Sequence, residues 1–237
     1  MKALILAAGL GTRLAPLTDR IPKTLVPVNG TPIIFKQLQN LIENGVRDIS
    51  IVCGYRAEQL KNAIYSVFPE AHFIDNLDYA ETNNMYSAYL ARKYFDHDSF
   101  LMMNGDVFFD SSVIKDLLDF QSMDAIAVDV GHYQTESMKV VQKDEQIISI
   151  SKEIPRDKAY GVSIDVYKFS KKASAAFFSC CTDYIERKKE LKNWSEVALN
   201  DILGSCFFQA CPLRGRWYEV DDHEDLKNAE KLFLNID

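Results

Sequence analysis

Short apolar segments alternate with amphipathic helical segments along the first 130 residues, and this alternation restricts the fold more than any other feature. Helical spacing of apolar residues is found between the apolar segments, at about 57–67, 84–94 and 112–121. Strands that alternate with helices and carry few polar residues are typical of a parallel sheet covered on both faces. The five predicted strands are Ala3–Ala7, Ile49–Cys53, His72–Asp75, Phe100–Met103 and Ala125–Val130.

The first helix has a recognisable start in the sequence. Thr31 has the side chain of an N-cap, and Pro32 suits the first helical position, where its missing N–H costs nothing. Ile34, Leu38 and Leu41 then recur on one face. We therefore predict a helix that begins at Pro32 and packs on the sheet.

The pattern changes after Val130. Residues 138–142 and 146–151 predict a β-hairpin, and residues 160–169 predict a further strand. The remaining predicted elements are helices at 171–190 and 195–203, a strand at 216–220 and a helix at 224–233. The second half thus indicates a small antiparallel elaboration that returns to the first sheet. We expect one domain, 1–237, with a core at 1–130, an elaboration at 131–215 and a returning strand and helix at 216–237.

A glycine-containing basic loop, GLGTRLAPLTDRIPKTLVPV, follows the first strand. Ligands of open parallel sheets bind beyond the carboxyl ends of the strands. Gly9 and Gly11 would let backbone N–H groups approach an anion closely, and Arg13 and Lys23 add the positive charge that a polyphosphate neutralises. A tight turn with solvated basic residues would also contain Gly-x-Gly, so this pair alone does not decide the function.

Two familiar nucleotide-binding loops are excluded by the residues present. The phosphate-binding pattern G-x-x-x-x-G-K-[ST] requires a Gly-Lys pair, which this sequence lacks. The dinucleotide pattern requires a third glycine where Leu14 stands, and an acidic residue at the end of the second strand, where Cys53-Gly54-Tyr55 stands. Both differences argue against an NAD-dependent dehydrogenase.

The longer string G-x-G-T-R-L-x-P-L-T, followed by P-K-x-L-x-P-V, resembles the signature of the sugar-nucleotidyltransferase-like family. The resemblance implies a GT-A-like nucleotidyltransferase fold: an α/β, mostly parallel, Rossmann-like sheet with helices on both faces. It implies that the loop wraps a nucleoside triphosphate, that Arg13 holds the departing pyrophosphate, and that Lys23 contacts the α-phosphate and the acceptor phosphate. The nucleotide-binding residues expected at strand ends and in the loop are Ala7, Ala8, Gly9, Gly11, Thr12 and Gly105.

Two aspartates are candidates for holding the Mg²⁺ that such a reaction requires, because Mg²⁺ binds one or two carboxylates together with phosphate oxygens. Asp106 follows the predicted strand Phe100–Met103. Asp221 ends the strand in WYEVDDHEDL, where Asp222 suits the N-cap of the last helix. The resemblance supports Asp106 and Asp221 as metal ligands, although Asn-Gly-Asp is also an ordinary turn. His223 is expected at the surface.

The segment DYAETNNMYSAYLA, residues 78–91, bears on the choice of nucleotide. Sugar-1-phosphate enzymes of the family usually carry a Gln-rich loop here, whereas Asn-Asn-Met-Tyr-Ser resembles small cytidylyltransferases that act on phosphocholine or 2-aminoethylphosphonate. Amide and hydroxyl groups suit the mixed donor and acceptor edge of cytosine. We therefore expect CTP, with Asn84 and Ser87 near the base, although a polar loop before an amphipathic helix has the same composition.

The acceptor is predicted to contact Lys152, Glu153, Trp194 and Glu196. Lys152-Glu153 stands where sugar-type relatives carry Glu-Lys-Pro, but in reversed order, so a solvated charge pair remains an alternative. A choline headgroup needs an aromatic cage, whereas an amino group would meet acidic residues. The candidates for these two roles are Tyr133, Tyr160, Trp194 and Trp217 for a cage, and Glu153, Glu196 and Asp201 for an amine.

Composition excludes several classes of protein. A net charge of −7 argues against binding to nucleic acid, and no apolar stretch approaches the roughly 20 residues that insert into a membrane. Five cysteines without a C-x-x-C pair, and four scattered histidines, argue against a Cys/His metal site and favour reduced thiols in the cytoplasm. A homodimer is compatible with the sequence.

These features together predict a Mg²⁺-dependent cytidylyltransferase that transfers CMP from CTP to a small phosphorylated or phosphonate acceptor and releases pyrophosphate. Phosphocholine, aminoethylphosphonate and a phosphorylated amino acid such as phosphoglutamine remain open as acceptors, for decoration of a surface polysaccharide or lipid. The alternatives are a hexose-1-phosphate nucleotidyltransferase that makes an NDP-sugar, and a catalytically silent nucleotide sensor. A sensor would not need both carboxylates.

Overall fold

The computed structural model describes residues 1–234 of the chain. Its first eight strands are β1 (Lys2–Ala7), β2 (Pro27–Val28), β3 (Thr31–Pro32), β4 (Asp48–Cys53), β5 (His72–Asp75), β6 (Phe100–Asn104), β7 (Val107–Phe109) and β8 (Ala125–Val130). The later strands are β9 (Lys139–Lys143), β10 (Gln146–Ser151), β11 (Gly161–Phe169), β12 (Gln209–Pro212) and β13 (Trp217–Glu219).

The helices surround the main sheet. They are α1 (Ile33–Glu43), α2 (Ala57–Tyr65), α3 (Asn84–Phe95), α4 (Ser112–Asp119), α5 (Lys171–Thr182), α6 (Ser195–Ile202) and α7 (His223–Leu232). Short 3-10 turns lie at Thr12–Leu14 and Lys23–Leu25, and a π-helix at Asp183–Lys188 extends α5. None of the helices in residues 1–234 combines the length and the apolar character that crossing a bilayer requires.

Strand β1 lies near the middle of the main sheet and runs parallel to both neighbours, β4 and β6. Strand β5 continues the parallel sheet beyond β4. Because side chains alternate along a strand, Leu4 and Leu6 belong to the core on one face, while Ala3 and Ile5 belong to the core on the other. The predicted α/β sheet with both faces covered is therefore confirmed.

The second half adds antiparallel pairs to this sheet. Strand β11 is antiparallel to β6 and to β8, and the predicted hairpin, β9 and β10, joins β11 through β9. The strand that returns to the sheet is β12, which runs parallel to β8 and which the sequence analysis missed. The finer division of the chain near residues 130 and 215 stays a prediction.

The predicted return of the strand at 216–220 to the main sheet was wrong. Strand β13 pairs instead with β7 in a separate two-stranded sheet. The backbone N–H of Val220 donates to the carbonyl of Asp106, over 2.9 Å. This small sheet brings together the two chain segments that carry Asp106 and Asp221.

The predicted start of the first helix was also wrong, by one residue. Thr31 and Pro32 pair with Val28 and Pro27 as strand β3, and Pro32 has the extended ψ of 140°. Helix α1 therefore begins at Ile33, with Pro32 at the N-cap. The predicted long helix at 171–190 ends its α-helical part at Thr182 and continues as the π-helix.

The predicted cap of the last helix is confirmed. The Asp222 carboxylate accepts hydrogen bonds from the backbone N–H groups of Glu224 and Asp225, over 2.8 and 2.9 Å. The Asp225 carboxylate accepts from the backbone N–H groups of Asp222 and Asp221, over 3.2 and 3.1 Å. This reciprocal capping box fixes the backbone on which the Asp221 side chain stands.

Asp222→Ala is expected to lower the free energy of unfolding by about 1 kcal/mol, because two N–H groups at the start of α7 lose their acceptor. Urea denaturation followed by circular dichroism measures the change. Glu224→Ala, in the same helical turn, is the control and is expected to change stability by less than about 0.5 kcal/mol. Equal losses in the two variants would contradict the role of the cap.

Candidate active site

A cleft of about 320 Å³ opens at the carboxyl ends of β1 and β6, between the glycine-containing loop and β13. It lies where ligands of open parallel sheets bind. Most of the residues predicted for the site line it: Ala8, Gly9, Gly11, Thr12, Arg13, Lys23, Asn84, Ser87, Gly105, Asp106, Lys152, Trp194, Glu196 and Asp221.

Two predicted residues are not among the described residues that line the cleft. Ala7 is buried in β1. Its Cα lies 3.3 Å from the position that a Cβ on Gly105 would take, so the backbone of Ala7 packs against Gly105. Glu153 is exposed, and its backbone N–H donates to the hydroxyl of Ser151. The structure therefore brings neither side chain to the cleft.

The conformation of the glycine-containing loop depends on Gly11. Its φ is +64°, in the left-handed region that glycine adopts without strain. The Thr18 hydroxyl donates to the Gly11 carbonyl over 2.9 Å, and the Tyr55 hydroxyl donates to the Thr18 carbonyl over 3.0 Å. His223, expected only at the surface, has its Nε2 2.7 Å from the Ala15 carbonyl oxygen. The loop is thus attached to the end of β4 and to the start of α7.

Lys23 lies between the two predicted metal ligands. Its Nζ is 2.8 Å from Asp106 Oδ2 and 2.6 Å from Asp221 Oδ1, and Arg13 Nη2 is 2.7 Å from Asp221 Oδ2. Burial alone would lower the pKa of Lys23, but the two carboxylates raise it above its usual value. Burial alone would raise the pKa of Asp221, but Lys23 and Arg13 lower it. Lys23 and Asp221 therefore both carry their charges at neutral pH.

A third carboxylate, Glu219, completes an acidic cluster that the sequence analysis missed. One carboxylate oxygen from each of Asp106, Glu219 and Asp221 lies within 4.8 Å of the others. Burial, together with the charges of Asp106 and Asp221, raises the pKa of Glu219 to about 8. The signal that could have found Glu219 is its position two residues before Asp221, since residues at that spacing share a face of a strand.

The donor set of this cluster fits a divalent cation. All of its ligand atoms are carboxylate oxygens, which Mg²⁺ and other hard cations prefer. Asp106 Oδ1 is buried and has no hydrogen-bond partner within residues 1–234. A buried acceptor of that kind is costly unless something binds it.

Asn84 links the start of α3 to the start of α6. Its Oδ1 accepts from the backbone N–H of Ser195 over 2.7 Å, and its Nδ2 donates to Asn104 Oδ1 over 3.3 Å. Ser87 is buried, and its hydroxyl accepts from Asn76 Nδ2 over 3.2 Å. The cleft on this side has further polar residues that the sequence analysis missed, namely Asn76, Tyr79, Thr82 and Asn83.

The predicted acceptor residues lie on another wall of the cleft. Lys152 Nζ is 5.1 Å from the centroid of the Trp194 ring, and Trp194 is 45% exposed. Glu196, by contrast, is only 3% exposed. Of the aromatic residues considered for a cage, only Trp194 is among the described residues that line the cleft. Asp201, considered for an amine, instead accepts a hydrogen bond from the Tyr184 hydroxyl.

The match to a family model decides the relationship of this chain to known proteins. The model described as Nucleotidyl transferase matches residues 2–235.

The chain belongs to the nucleotidyl transferase family.

Individual members of this family match with different coverage. CMP-5'-(3-aminopropyl)phosphonate synthase from Streptomyces rubellomurinus is 28% identical over 98% of this chain and 39% of its own length. Choline-phosphate cytidylyltransferase from Streptococcus pneumoniae is 44% identical over 44% of this chain and 47% of its own length. These two alignments thus cover less than half of either curated relative.

Structural similarity to a solved nucleotidyl transferase covers nearly the whole chain. The CTP:phosphocholine cytidylyltransferase from Streptococcus pneumoniae superposes with a TM-score of 0.84 and 25% identity, over 98% of each chain. The fold predicted from the sequence, with a mostly parallel sheet and an antiparallel elaboration, is therefore the fold of this family.

Gly11→Ala is expected to lower the free energy of unfolding by about 1–2 kcal/mol, because an L-residue is strained in the left-handed region. In addition, its Cβ would lie only 2.8 Å from Lys23 Cβ. Gly9→Ala is the matched control, since a Cβ there meets nothing within 4 Å among the described residues. Thermal and urea denaturation of both variants tests this, and equal stability of the two would show that the loop conformation does not depend on Gly11.

Proposed function

We propose that this chain is a cytidylyltransferase, which transfers CMP from CTP to a small phosphorylated or phosphonate acceptor and releases pyrophosphate. Membership of the nucleotidyl transferase family supports the reaction class. The names of the relatives support CTP, since they describe a choline-phosphate cytidylyltransferase and a CMP-phosphonate synthase. The solved structure that superposes on this chain is also that of a CTP:phosphocholine cytidylyltransferase.

The observation that carries this proposal is the convergence of Arg13, Lys23, Asp106 and Asp221 in the cleft. Nucleotidyl transfer brings an anionic acceptor to an anionic α-phosphate, so the site must offset negative charge where the new bond forms. Lys23 is fully charged and central, and it is proposed to hold the α-phosphate and the acceptor oxygen. Arg13 is 63% exposed at the side chain and is proposed to hold the departing pyrophosphate.

Mg²⁺ is the proposed cofactor, and Asp106 and Asp221 are its proposed ligands. The unpartnered Asp106 Oδ1 and the neighbouring Asp221 carboxylate support this choice. The ion would supply positive charge to the phosphate oxygens of the nucleotide. Lys23 Nζ contacts the same two carboxylates, so its charge lies beside the proposed metal site.

The polar residues around Asn83 support recognition of a cytosine base. Asn76, Thr82 and Ser87 offer amide and hydroxyl groups on the wall formed by the start of α3. Such groups both donate and accept hydrogen bonds, as the edge of cytosine does. The Asn84 side chain is already bonded to Ser195 and Asn104. We therefore propose that Asn84 orders this wall and that Thr82 and Asn83, which are more exposed than Asn76 and Ser87, contact the base.

Pyrophosphate release, measured with CTP, UTP, GTP and dTTP against a panel of acceptors, tests the proposal. The panel contains phosphocholine, 2-aminoethylphosphonate, phosphoglutamine and glucose 1-phosphate. We expect turnover with CTP and one of the first three acceptors. Turnover with glucose 1-phosphate and UTP, dTTP or GTP would favour the NDP-sugar alternative. No turnover with any pair would overturn the proposed activity.

Asp221→Asn is expected to lower kcat with Mg²⁺ by about 100-fold or more, because the variant loses a ligand charge at the reacting phosphates. Asp222→Asn is the matched control, since asparagine caps a helix as well as aspartate does, and it is expected to keep wild-type kcat. The measurement is pyrophosphate release at saturating CTP and acceptor. Retained Mg²⁺-dependent turnover in Asp221→Asn would contradict the assignment.

A further inference from the structure

A pair of buried carboxyl groups, Asp165 and Glu196, lines the cleft and has no part in the reaction as described above. Asp165 is 8% exposed and Glu196 is 3% exposed. The hydroxyl of Tyr167, which is 1% exposed, lies 2.8 Å from Asp165 Oδ1 and 2.8 Å from Glu196 Oε1. We call Asp165 and Glu196 the carboxyl pair. Two acidic groups buried this closely are costly, so their position requires an explanation.

The backbone of β11 is distorted where it carries this pair. Asp165 has a φ of +58°, and the pairing of β11 with β8 shifts register between Ser163 and Tyr167. A left-handed conformation inside a strand costs free energy for any residue with a Cβ. Asn104 Nδ2 donates to Asp165 Oδ2 over 3.0 Å and holds the carboxyl group in place. Strain of this kind is typical of functional sites.

The surroundings of the carboxyl pair disfavour its negative charge. The Tyr167 hydroxyl carries one proton and can donate it to only one carboxylate at a time. Burial raises the pKa of both Asp165 and Glu196. A cation beside the pair would therefore offset the cost of ionising it.

The lining of the cleft has more acidic than basic side chains. Five carboxyl groups line it among residues 1–234, and three cationic side chains, Arg13, Lys23 and Lys152, lie opposite them. The cationic side chains are needed by the phosphates of the substrates. A positively charged group on the ligand is therefore the natural complement of the carboxyl pair.

The same lining distinguishes a primary ammonium group from a quaternary one. A primary ammonium group donates three hydrogen bonds, and buried carboxyl oxygens accept them. A trimethylammonium group donates none and relies on aromatic faces. Within the described residues only Trp194 and Tyr79 offer aromatic rings to the cleft. Lys152 Nζ already lies 5.1 Å from the Trp194 ring centroid, and Tyr79 packs edge-on against Tyr55.

We propose that Asp165 and Glu196 bind a primary ammonium group of the acceptor, so that the acceptor is a small aminoalkyl phosphate or phosphonate. This inference rests on the proposed cytidylyltransferase activity. Asp165 and Glu196 determine specificity by accepting hydrogen bonds that only an N–H group supplies. The phosphate or phosphonate end of the same molecule then lies toward Lys23.

The test is a series of acceptors that differ only in methylation of the nitrogen. The wild-type enzyme is assayed with CTP and 2-aminoethylphosphonate, and with its N-methyl, N,N-dimethyl and N,N,N-trimethyl derivatives. We expect kcat/KM to fall by at least about tenfold from the primary to the trimethyl compound, because the buried acceptors lose their donors. A smaller fall, or a rise, overturns the inference but leaves the proposed activity intact. No release of pyrophosphate with any acceptor would instead refute the activity itself.

Glu196→Gln tests the residue directly, since it keeps the shape and removes the charge. We expect the preference for the primary amine over the trimethyl compound to shrink by about tenfold, mainly through a higher KM for the primary amine, with an unchanged KM for CTP. Asp201→Asn, on the same helix but bonded to Tyr184, is the control and is expected to keep the wild-type preference. An unchanged preference in Glu196→Gln overturns the role of Glu196. If that variant fails to bind CTP, the methylation series in the wild type decides.

Discussion

The contact of Lys23 with Asp106 and Asp221 is the interaction on which the rest of the site depends. Three parts of the chain that are far apart in sequence meet there through opposite charges. Two aspartates this close, and partly buried, would repel each other without a cation between them. The charged lysine therefore stabilises the arrangement that the proposed metal ion and triphosphate would use.

The sheet topology makes this contact possible. Asp106 lies just beyond the carboxyl end of β6. The next strand, β7, then pairs with β13 rather than with a strand of the main sheet. The carbonyl of Asp106 consequently accepts from Val220, one residue before Asp221. The helix that follows is fixed by its capping box. The backbone N–H groups of the residues before and after Asp221 are thus both hydrogen-bonded, and these bonds determine its position.

Much of this site could be predicted from the sequence, because periodic strands and a specific loop signature are local signals. Asp106 and Asp221 were found since both follow apolar strands, and Asp222 since it begins a helix. Asp165 was missed because its burial depends on which strands pair, and that pairing is not local. Glu219 was missed although its position two residues before Asp221 is a local signal. Glu153 was expected in the cleft from its place beside Lys152, but the chain turns at these two residues after β10 and leaves Glu153 exposed. Strand β12 was missed because its four residues carry no distinct pattern.

The Asn84 side chain joins two walls of the cleft that belong to different parts of the chain. Through it, a continuous series of hydrogen bonds runs from the first turn of α6, by way of Asn104, to the carboxyl group of Asp165. The walls on either side consequently share one hydrogen-bonded framework. A substitution at Asn84 would therefore alter both walls together, since the same side chain reaches each of them.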